Sequence, residues 1–189
     1  MRIVAGQFRG RPLKAPKGEN TRPTTDRVRE SMMSAVESAR GGLEGAVVLD
    51  AFAGSGALGL EALSRGARVA VFCDNDEGAQ RVLKRNLALA PAGSARLARV
   101  DMLKHLPPAA DDPFDLVFLD PPYAVDPADV AALLVRLEAA GLLAPGALAT
   151  YEHAKSSDSP VDGALHALPW RQVKRKAYGS TAIDLLRRG

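Results

Sequence analysis

An α/β fold, with helices on both faces of a mostly parallel sheet, is the fold class that this chain of 189 residues predicts. Short apolar runs rich in strand-forming residues alternate with stretches whose apolar residues recur at helical spacing. A glycine-rich turn follows the first of these runs, and aspartate stands at the end of four of them. Such alternation is typical of parallel strands that are joined by helices.

The predicted strands and helices follow one another in a regular order. After a strand at 46–50, a helix begins past Gly56 and stops at Gly66. A second helix begins at Asp76 or Glu77, and a third follows Asp126, runs from Pro127 and ends at Gly141. Further strands are expected at 69–73, 95–100, 114–119 and 147–151, then a loop at 155–163 and a closing antiparallel pair at about 165–176 and 181–186.

A helix is also predicted before the first strand, starting within the segment 22–30. A threonine can cap it, and Asp26 lies in its first turn, where a carboxylate is favourable. Its buried face is expected to hold Val28, Met32, Ala35, Val36 and Ala39, whereas Arg27, Arg29 and Glu30 lie off that face. We therefore expect an N-terminal arm and helix at 1–40 and the main domain at 41–189.

Composition excludes several classes of protein. No apolar run approaches the ~20 residues of a membrane span, and the N-terminus lacks the apolar stretch of a signal peptide. The single cysteine, Cys73, cannot form an internal disulfide; it fits a reducing compartment such as the cytoplasm and is expected to be a small buried hydrophobe. The histidines are scattered, so we expect no metal site and interpret them as surface or loop residues: His105, His153 and His166.

The net charge of +3 hides basic ends on an acidic middle. Residues 1–30 hold 8 Lys or Arg against 3 Asp or Glu, and residues 171–189 hold 6 against 1. This distribution favours a polyanion that both termini contact, although charged termini can also serve solubility alone. The arm offers Arg9, Arg11, Lys14 and Lys17 to phosphates, and Phe8 is expected to anchor the arm rather than to stack on a base.

Four aspartates are predicted to share one edge of the sheet: Asp50, Asp74, Asp101 and Asp120. The carboxyl ends of parallel strands meet at that edge, and open α/β sheets bind their ligands there. One aspartate at a strand end would mean little, whereas four indicate a shared cleft.

The glycine-rich turn matches the G-x-G-x-x-G pattern at Gly54, Gly56 and Gly59. The motif is weak alone, because dinucleotides, flavins and S-adenosylmethionine all bind to similar loops. Asp74 ends the next strand, where a carboxylate can accept both ribose hydroxyls. Asp50 and Phe52 precede the glycines, which suits a cofactor with an amino-acid tail and no pyrophosphate.

The segment Asp120-Pro121-Pro122-Tyr123 follows the apolar strand at 114–119. Two consecutive prolines make a stiff turn, because each fixes φ and restricts the residue before it. The turn holds one carboxylate and one ring in a set relation, which suits a flat heterocycle whose exocyclic amine bonds Asp120 while its ring stacks on Tyr123. A polar turn without function is the alternative, and hydride transfer has no use for this motif.

These residues together resemble the RsmD family. The resemblance covers nearly the whole chain and rests on Asp50 to Gly56, on 58–66, on the 22–30 stretch, on the opening residues 2–11, and on Tyr178-Gly179. It implies a Rossmann-like class I S-adenosylmethionine-dependent methyltransferase fold, with a seven-stranded sheet, an antiparallel C-terminal strand and a small N-terminal extension. It also implies methylation of the exocyclic N2 of one guanine in 16S ribosomal RNA.

The resemblance assigns expected roles by position. Asp50, Phe52, Gly54 and Gly56 would hold the methionine end of S-adenosylmethionine, Asp74 the ribose, and Asp101 with Met102 the adenine. Asp120 and Tyr123 would hold the guanine, with the Pro121 and Pro122 carbonyls near its amine. RNA would be contacted by Arg9, Arg11, Lys14, Arg22, Thr24 and Arg27.

Two other functions stay open at this point. DNA adenine-N6 methyltransferases also carry Asp-Pro-Pro-Tyr, but they usually add a target-recognition segment, and little chain precedes this sheet. A non-catalytic RNA-binding assembly factor could keep the fold; its lack of cofactor binding would distinguish it. For the RsmD-like interpretation we expect a cytoplasmic monomer whose partner is 16S rRNA or the assembling small subunit.

Overall fold

A computed structural model describes residues 1–15, 25–155 and 169–189. Its sheet has seven strands in the order β3-β2-β1-β4-β5-β7-β6. Strands β1 to β5 pair in parallel, whereas β7 is antiparallel to both β5 and β6. The strands are β1 (Val47–Asp50), β2 (Val69–Asp74), β3 (Ala95–Arg99), β4 (Phe114–Leu119), β5 (Leu143–Ala154), β6 (Trp170–Tyr178) and β7 (Thr181–Arg188).

The helices begin at the caps that the sequence predicts. Thr25, Asp76 and Asp126 each accept a hydrogen bond from a main-chain N–H in the first turn, at Val28, Ala79 and Ala128. Each cap satisfies an N–H that has no partner inside the helix. The helices are α1 (Asp26–Arg40), α2 (Ala57–Ser64), α3 (Glu77–Asn86) and α4 (Pro127–Ala139), and a 3₁₀ turn at Leu87–Leu89 follows α3.

The core has one layer on each face of the sheet. Helices α1, α2 and α3 cover one face, with buried side chains such as Met33, Leu60 and Leu83. Helix α4 covers the other face, where Cys73 packs as a fully buried hydrophobe, as predicted. In the described ranges, no helix is long and apolar enough to cross a membrane.

The N-terminal arm (residues 1–15) packs on the first core layer. Ile3, Phe8 and Leu13 are buried in that layer, so the predicted anchoring role of Phe8 is confirmed. Buried polar groups of α2 fix the arm's main chain. Glu61 accepts the N–H groups of Val4 and Ala5 at 2.8 and 2.9 Å.

Two predictions about polar residues are wrong. Helical spacing puts Arg29 off the buried face of α1, but it is 1% exposed. It is buried because it pairs with Asp26 at 2.8 Å and lies 3.6 Å from Glu61. His153 is predicted at the surface or in a loop, but β5 extends past it and its Nε2 lies 3.1 Å from Asp184 Oδ2. His105 is exposed as predicted, and His166 lies outside the described residues.

The least accurate boundaries fall in the last third of the chain. Strand β5 begins before the predicted 147–151, because Leu143 pairs with Phe114 of β4, and it ends after that range, because β7 pairs along it as far as Ala154. The predicted closing pair exists as β6 and β7, joined at Gly179. Most of the predicted loop at 155–163 and the start of the predicted strand at 165 lie outside the described residues.

Candidate active site

The turn between β1 and α2 is shaped by Asp50. Its Oδ2 accepts the Gly59 N–H at 2.9 Å, so the carboxylate ties the end of β1 to the first turn of α2. Gly59 must be glycine, since an added Cβ would lie 2.3 Å from the Phe72 ring. Gly56 has φ of 79° and also has no room, because Leu83 of α3 would lie 2.5 Å from a Cβ.

The open side of this turn is at Gly54. A Cβ added there would meet no atom within 4 Å, so a ligand can approach the main chain closely. The Gly54 N–H donates to Asp74 Oδ2 at 2.8 Å, and the Asp76 N–H donates to Oδ1 at 2.9 Å. Asp74 is partly exposed and fixed beside the turn, so its carboxylate is accessible to a ligand.

The turn after β3 carries Asp101, two residues beyond Arg99, which pairs with Asp74 of β2. Burial raises the pKa of Asp101, but the Lys104 ammonium, the Leu103 N–H and His105 outweigh that and leave it below its ordinary value. Met102 is 2% exposed and packs in the core below the turn. Its carbonyl accepts a hydrogen bond from Arg136 of α4 at 2.5 Å. Met102 therefore supports the turn, and little of its surface is free to contact a ligand.

The turn after β4 presents Tyr123 to solvent. Its side chain is 53% exposed, and its Oη lies 2.8 Å from Thr181 Oγ1 at the start of β7. Pro121 is buried, and the Pro122 carbonyl accepts the Val125 N–H at 2.9 Å. The two prolines therefore hold the ring outward at the carboxyl edge of the sheet.

Three carboxylates lie on one face at this edge. Phe118 of β4 pairs with Asp50 of β1 on one side and with Thr150 of β5 on the other. Side chains alternate along strands, so Asp120 and Glu152, each two residues further on, point to the same face as Asp50. Glu152 is 7% exposed and Asp50 is 1% exposed.

Burial is the main reason that two of these carboxylates, Asp120 and Asp50, are hard to ionise. Burial raises the pKa of Asp120 well above its ordinary value, and the charges of Glu152 and Asp50 add to the effect. Burial also raises the pKa of Asp50, to about 7. The hydrogen bond from Gly59 lowers this pKa, and the charge of Asp74 raises it further. A cation bound here would favour ionisation of both groups.

The family is decided by a match along almost the whole chain. The family model described as "Conserved hypothetical protein 95" covers residues 1–187, and relatives at 38% and 36% identity are named ribosomal RNA small subunit methyltransferase D. The chain belongs to the RsmD family. Among these relatives, the Escherichia coli K12 protein is 38% identical, over 100% of this chain and 90% of its own length. The Haemophilus influenzae protein is 36% identical, over 98% and 92%.

Solved structures show the fold that this chain shares with other proteins. The hypothetical protein TTHA0928 of Thermus thermophilus superposes with a TM-score of 0.73 at 31% identity, over 98% of each chain. Magnesium protoporphyrin IX methyltransferase of Synechocystis PCC 6803, solved with bound SAM, gives 0.67 at 18%, over 86% of this chain and 79% of that one. The fold is thus that of class I S-adenosylmethionine-dependent methyltransferases, and this RsmD-family chain is a methyltransferase.

The structure brings the predicted cofactor and base residues of this RsmD-family chain to one edge, and it places the arm beside them. Arg9, Arg11, Lys14 and Arg27 are exposed. The Arg11 guanidinium lies 5.5 Å from the centre of the Phe8 ring. Lys17, Arg22 and Thr24 lie outside the described residues.

Sequence reasoning missed three residues at this edge: Asn86, Glu152 and Thr181. No local pattern marks them, because each meets its partners through the fold. Glu152 could have been found from the alternation of side chains along β5, which places it on the same face of the sheet as Asp120. In the part of the chain that the structure describes, no group of three or more His, Cys, Asp or Glu is placed to hold a metal ion.

Proposed function

We propose that this protein transfers a methyl group from S-adenosylmethionine to the exocyclic N2 of a guanine in 16S ribosomal RNA. The observation that carries the proposal is that one rigid turn holds both the exposed Tyr123 ring and the Asp120 carboxylate. Relatives named for methylation of small-subunit ribosomal RNA support the substrate class. Exposed basic residues on the arm support a polyanionic partner.

The residues present fit S-adenosylmethionine. Gly54 gives an open approach to the main chain, Asp74 offers fixed acceptors for ribose hydroxyls, and Asp101 stands at the next turn. Asp50 supplies a negative charge below the loop, where the ammonium of a methionine tail would favour its ionisation. When bound, the cofactor supplies an electrophilic methyl group on a sulfonium.

Asp120 and Tyr123 act on the nucleophile. The guanine N2 lone pair is delocalised into the ring, so the amine is a poor nucleophile. Asp120 accepts a hydrogen bond from N2–H and stabilises the positive charge that would develop on the amine as the new N–C bond forms and the methyl–sulfur bond breaks with its electron pair left on sulfur. Asp120 then takes up the proton that the amine releases. Tyr123 stacks on the base and aligns it. Since the Pro122 carbonyl already accepts Val125, the Pro121 carbonyl is the better candidate to accept the second N2–H.

Mass spectrometry of nucleosides from 16S rRNA tests this function directly. RNA from cells without the protein should lack one N2-methylguanine, and the purified enzyme should restore it. Asp120→Asn should lower the rate by roughly 10²-fold or more and leave cofactor affinity within a few-fold. Asp115→Asn, on the same strand at its opposite end, is the matched control and should keep the rate. Assays with naked RNA and with small subunits show which form is the substrate.

Methylation of adenine N6 in duplex DNA, with no methylation of rRNA, would contradict the proposal. So would full activity of Asp120→Asn.

A further inference from the structure

Asn86, the last residue of α3, connects the N-terminal arm to the cofactor loop through one side chain. Its Oδ1 accepts the Lys14 N–H at 3.0 Å, and its Nδ2 donates to the Lys14 carbonyl at 2.9 Å. The same Nδ2 donates to the carbonyl of Ser55, which lies between Gly54 and Gly56, at 2.8 Å. Asn86 is 4% exposed, so these bonds are shielded from water.

An amide is suited to this position. It supplies one acceptor and two donors, and Asn86 uses both kinds toward the Lys14 main chain while it also holds Ser55. A carboxylate in its place would face two carbonyl oxygens without a hydrogen. The Met1 Sδ lies 3.7 Å from Ser55 Oγ, so the start of the arm meets the same loop residue from another direction.

The two segments that Asn86 joins have different expected ligands. Lys14 extends from the arm beside Arg11, both exposed to a polyanion, and Leu13 anchors the arm in the core. Ser55 belongs to the turn that is open to a ligand at Gly54. A shift of the Lys14 main chain changes the hydrogen bonds of Asn86, and through them the position of the Ser55 carbonyl.

We infer that Asn86 is a positioning residue that couples RNA engagement by the arm to the shape of the cofactor loop. The inference rests on the proposed function. Coupling of this kind is reciprocal: RNA tightens cofactor binding by the same factor by which the cofactor tightens RNA binding. Couplings in proteins are commonly about 5–150-fold, and a single shared side chain predicts a factor of roughly 5–10.

The experiment measures that factor with S-adenosylhomocysteine, which binds without turnover, and with small subunits from cells that lack the protein. In the wild type, subunits should lower the Kd of S-adenosylhomocysteine by roughly 5–10-fold. In Asn86→Ala and Asn86→Asp the factor should fall to about one. Ser64→Ala is the matched control. Ser64 is equally buried and bonds the arm at Phe8 and Ala5, but it belongs to α2 and its described bonds do not reach the loop. Ser64→Ala should weaken subunit binding, but subunits should still lower the Kd of S-adenosylhomocysteine by the wild-type factor.

A measurement without variants gives a second readout. Binding of S-adenosylhomocysteine to the wild type should slow hydrogen exchange at the Lys14 N–H, which donates to Asn86, more than at the Phe8 N–H, which donates to Ser64. If wild-type protein binds both ligands independently, or if Ser64→Ala abolishes the factor as completely as Asn86→Ala, the inference is overturned. If it binds neither ligand, the proposed function itself fails.

Discussion

Tyr123 Oη lies 2.8 Å from Thr181 Oγ1, so the ring that follows the two prolines is tied to the first residue of β7. The ring is therefore fixed at both ends, by the proline turn on one side and by the antiparallel end of the sheet on the other. The residue is still 53% exposed, so much of the ring is accessible from solvent. This bond also gives β7 a role at the site.

The first prediction separates the ring of Tyr123 from its hydroxyl. Tyr123→Ala should lower methylation by roughly 5–150-fold, because stacking of one base on an aromatic ring contributes about 1–3 kcal/mol. Tyr123→Phe keeps the ring and loses only the bond to Thr181, so its rate should fall only a few-fold. Single-turnover rates on 16S rRNA substrates measure both.

Thr181→Val provides the control for the hydroxyl. It removes the same hydrogen bond from the other side, so it should match Tyr123→Phe, and the double variant should be no slower than either. Additive losses would show that Tyr123 and Thr181 act separately.

The second prediction concerns the acidic side of the pH–rate profile. Asp120 must be ionised to accept the amine hydrogen, and burial together with the charges of Glu152 and Asp50 raises its pKa well above the usual value. Methylation should therefore fall with decreasing pH well before an ordinary Asp would be protonated. Glu152→Gln removes one negative neighbour, so the fall should move to lower pH. The profile of single-turnover rates from about pH 5 to 8 measures the shift.

Asp115→Asn is the control: it also removes one negative charge, at the amino end of β4, and it should leave the pH–rate profile unchanged. A Glu152→Gln profile that coincides with the wild type would mean that Glu152 does not act on Asp120.

Local signals account for the parts of the fold that the sequence predicts. The caps at Asp76 and Asp126 bond N–H groups three and two residues away, so their chemistry is readable from a short window. The proline turn is equally local, since it depends on four consecutive residues. The exposure of Tyr123 at a strand end follows from that turn.

Contacts between distant segments account for the parts that the sequence does not predict. Glu61 bonds Val4 across 57 positions, and Asn86 bonds Lys14 across 72. Arg29 looks like a solvated charge within its own helix, and it is buried because Glu61 of α2 lies opposite. Nothing in the spacing of α1 or α2 contains that information.

The third prediction addresses the buried carboxylate of Glu61. It accepts the Val4 and Ala5 N–H groups and pairs with Arg65 at 3.0 Å, and it is 0% exposed. Glu61→Ala would leave two main-chain N–H groups without their acceptor and would take one carboxylate partner from the guanidiniums of Arg29 and Arg65. The free energy of unfolding should therefore fall by about 3–5 kcal/mol. Urea denaturation measures the loss.

Hydrogen exchange at Val4 and Ala5 should accelerate in the same Glu61→Ala variant, because their acceptor is gone. Glu77→Ala is the control: its pair with Arg81 is exposed, and its removal should change stability little. A Glu61→Ala protein as stable as Glu77→Ala would show that the arm is held by its apolar contacts alone.

The fourth prediction concerns Asp50 and the pH dependence of stability. Its pKa is about 7 in the folded chain against 3.8 as the ordinary value, so the folded state retains the proton over a range where the unfolded state has lost it. The contribution of Asp50 to the free energy of unfolding is therefore fully present below about pH 4, and it is lost as the pH rises to about 7. The full difference corresponds to about 4 kcal/mol.

Asp50→Asn isolates this contribution, because it keeps an acceptor for Gly59 and cannot ionise. Relative to the wild type, the variant should become more stable by up to that amount as the pH rises from about 4 to 8 in urea denaturation. Asp112→Asn, at an exposed ion pair, should follow the wild type at each pH. Parallel curves for Asp50→Asn and the wild type would mean that Asp50 ionises as freely in the folded chain as in the unfolded one, and that the Gly59 bond and nearby water offset its burial.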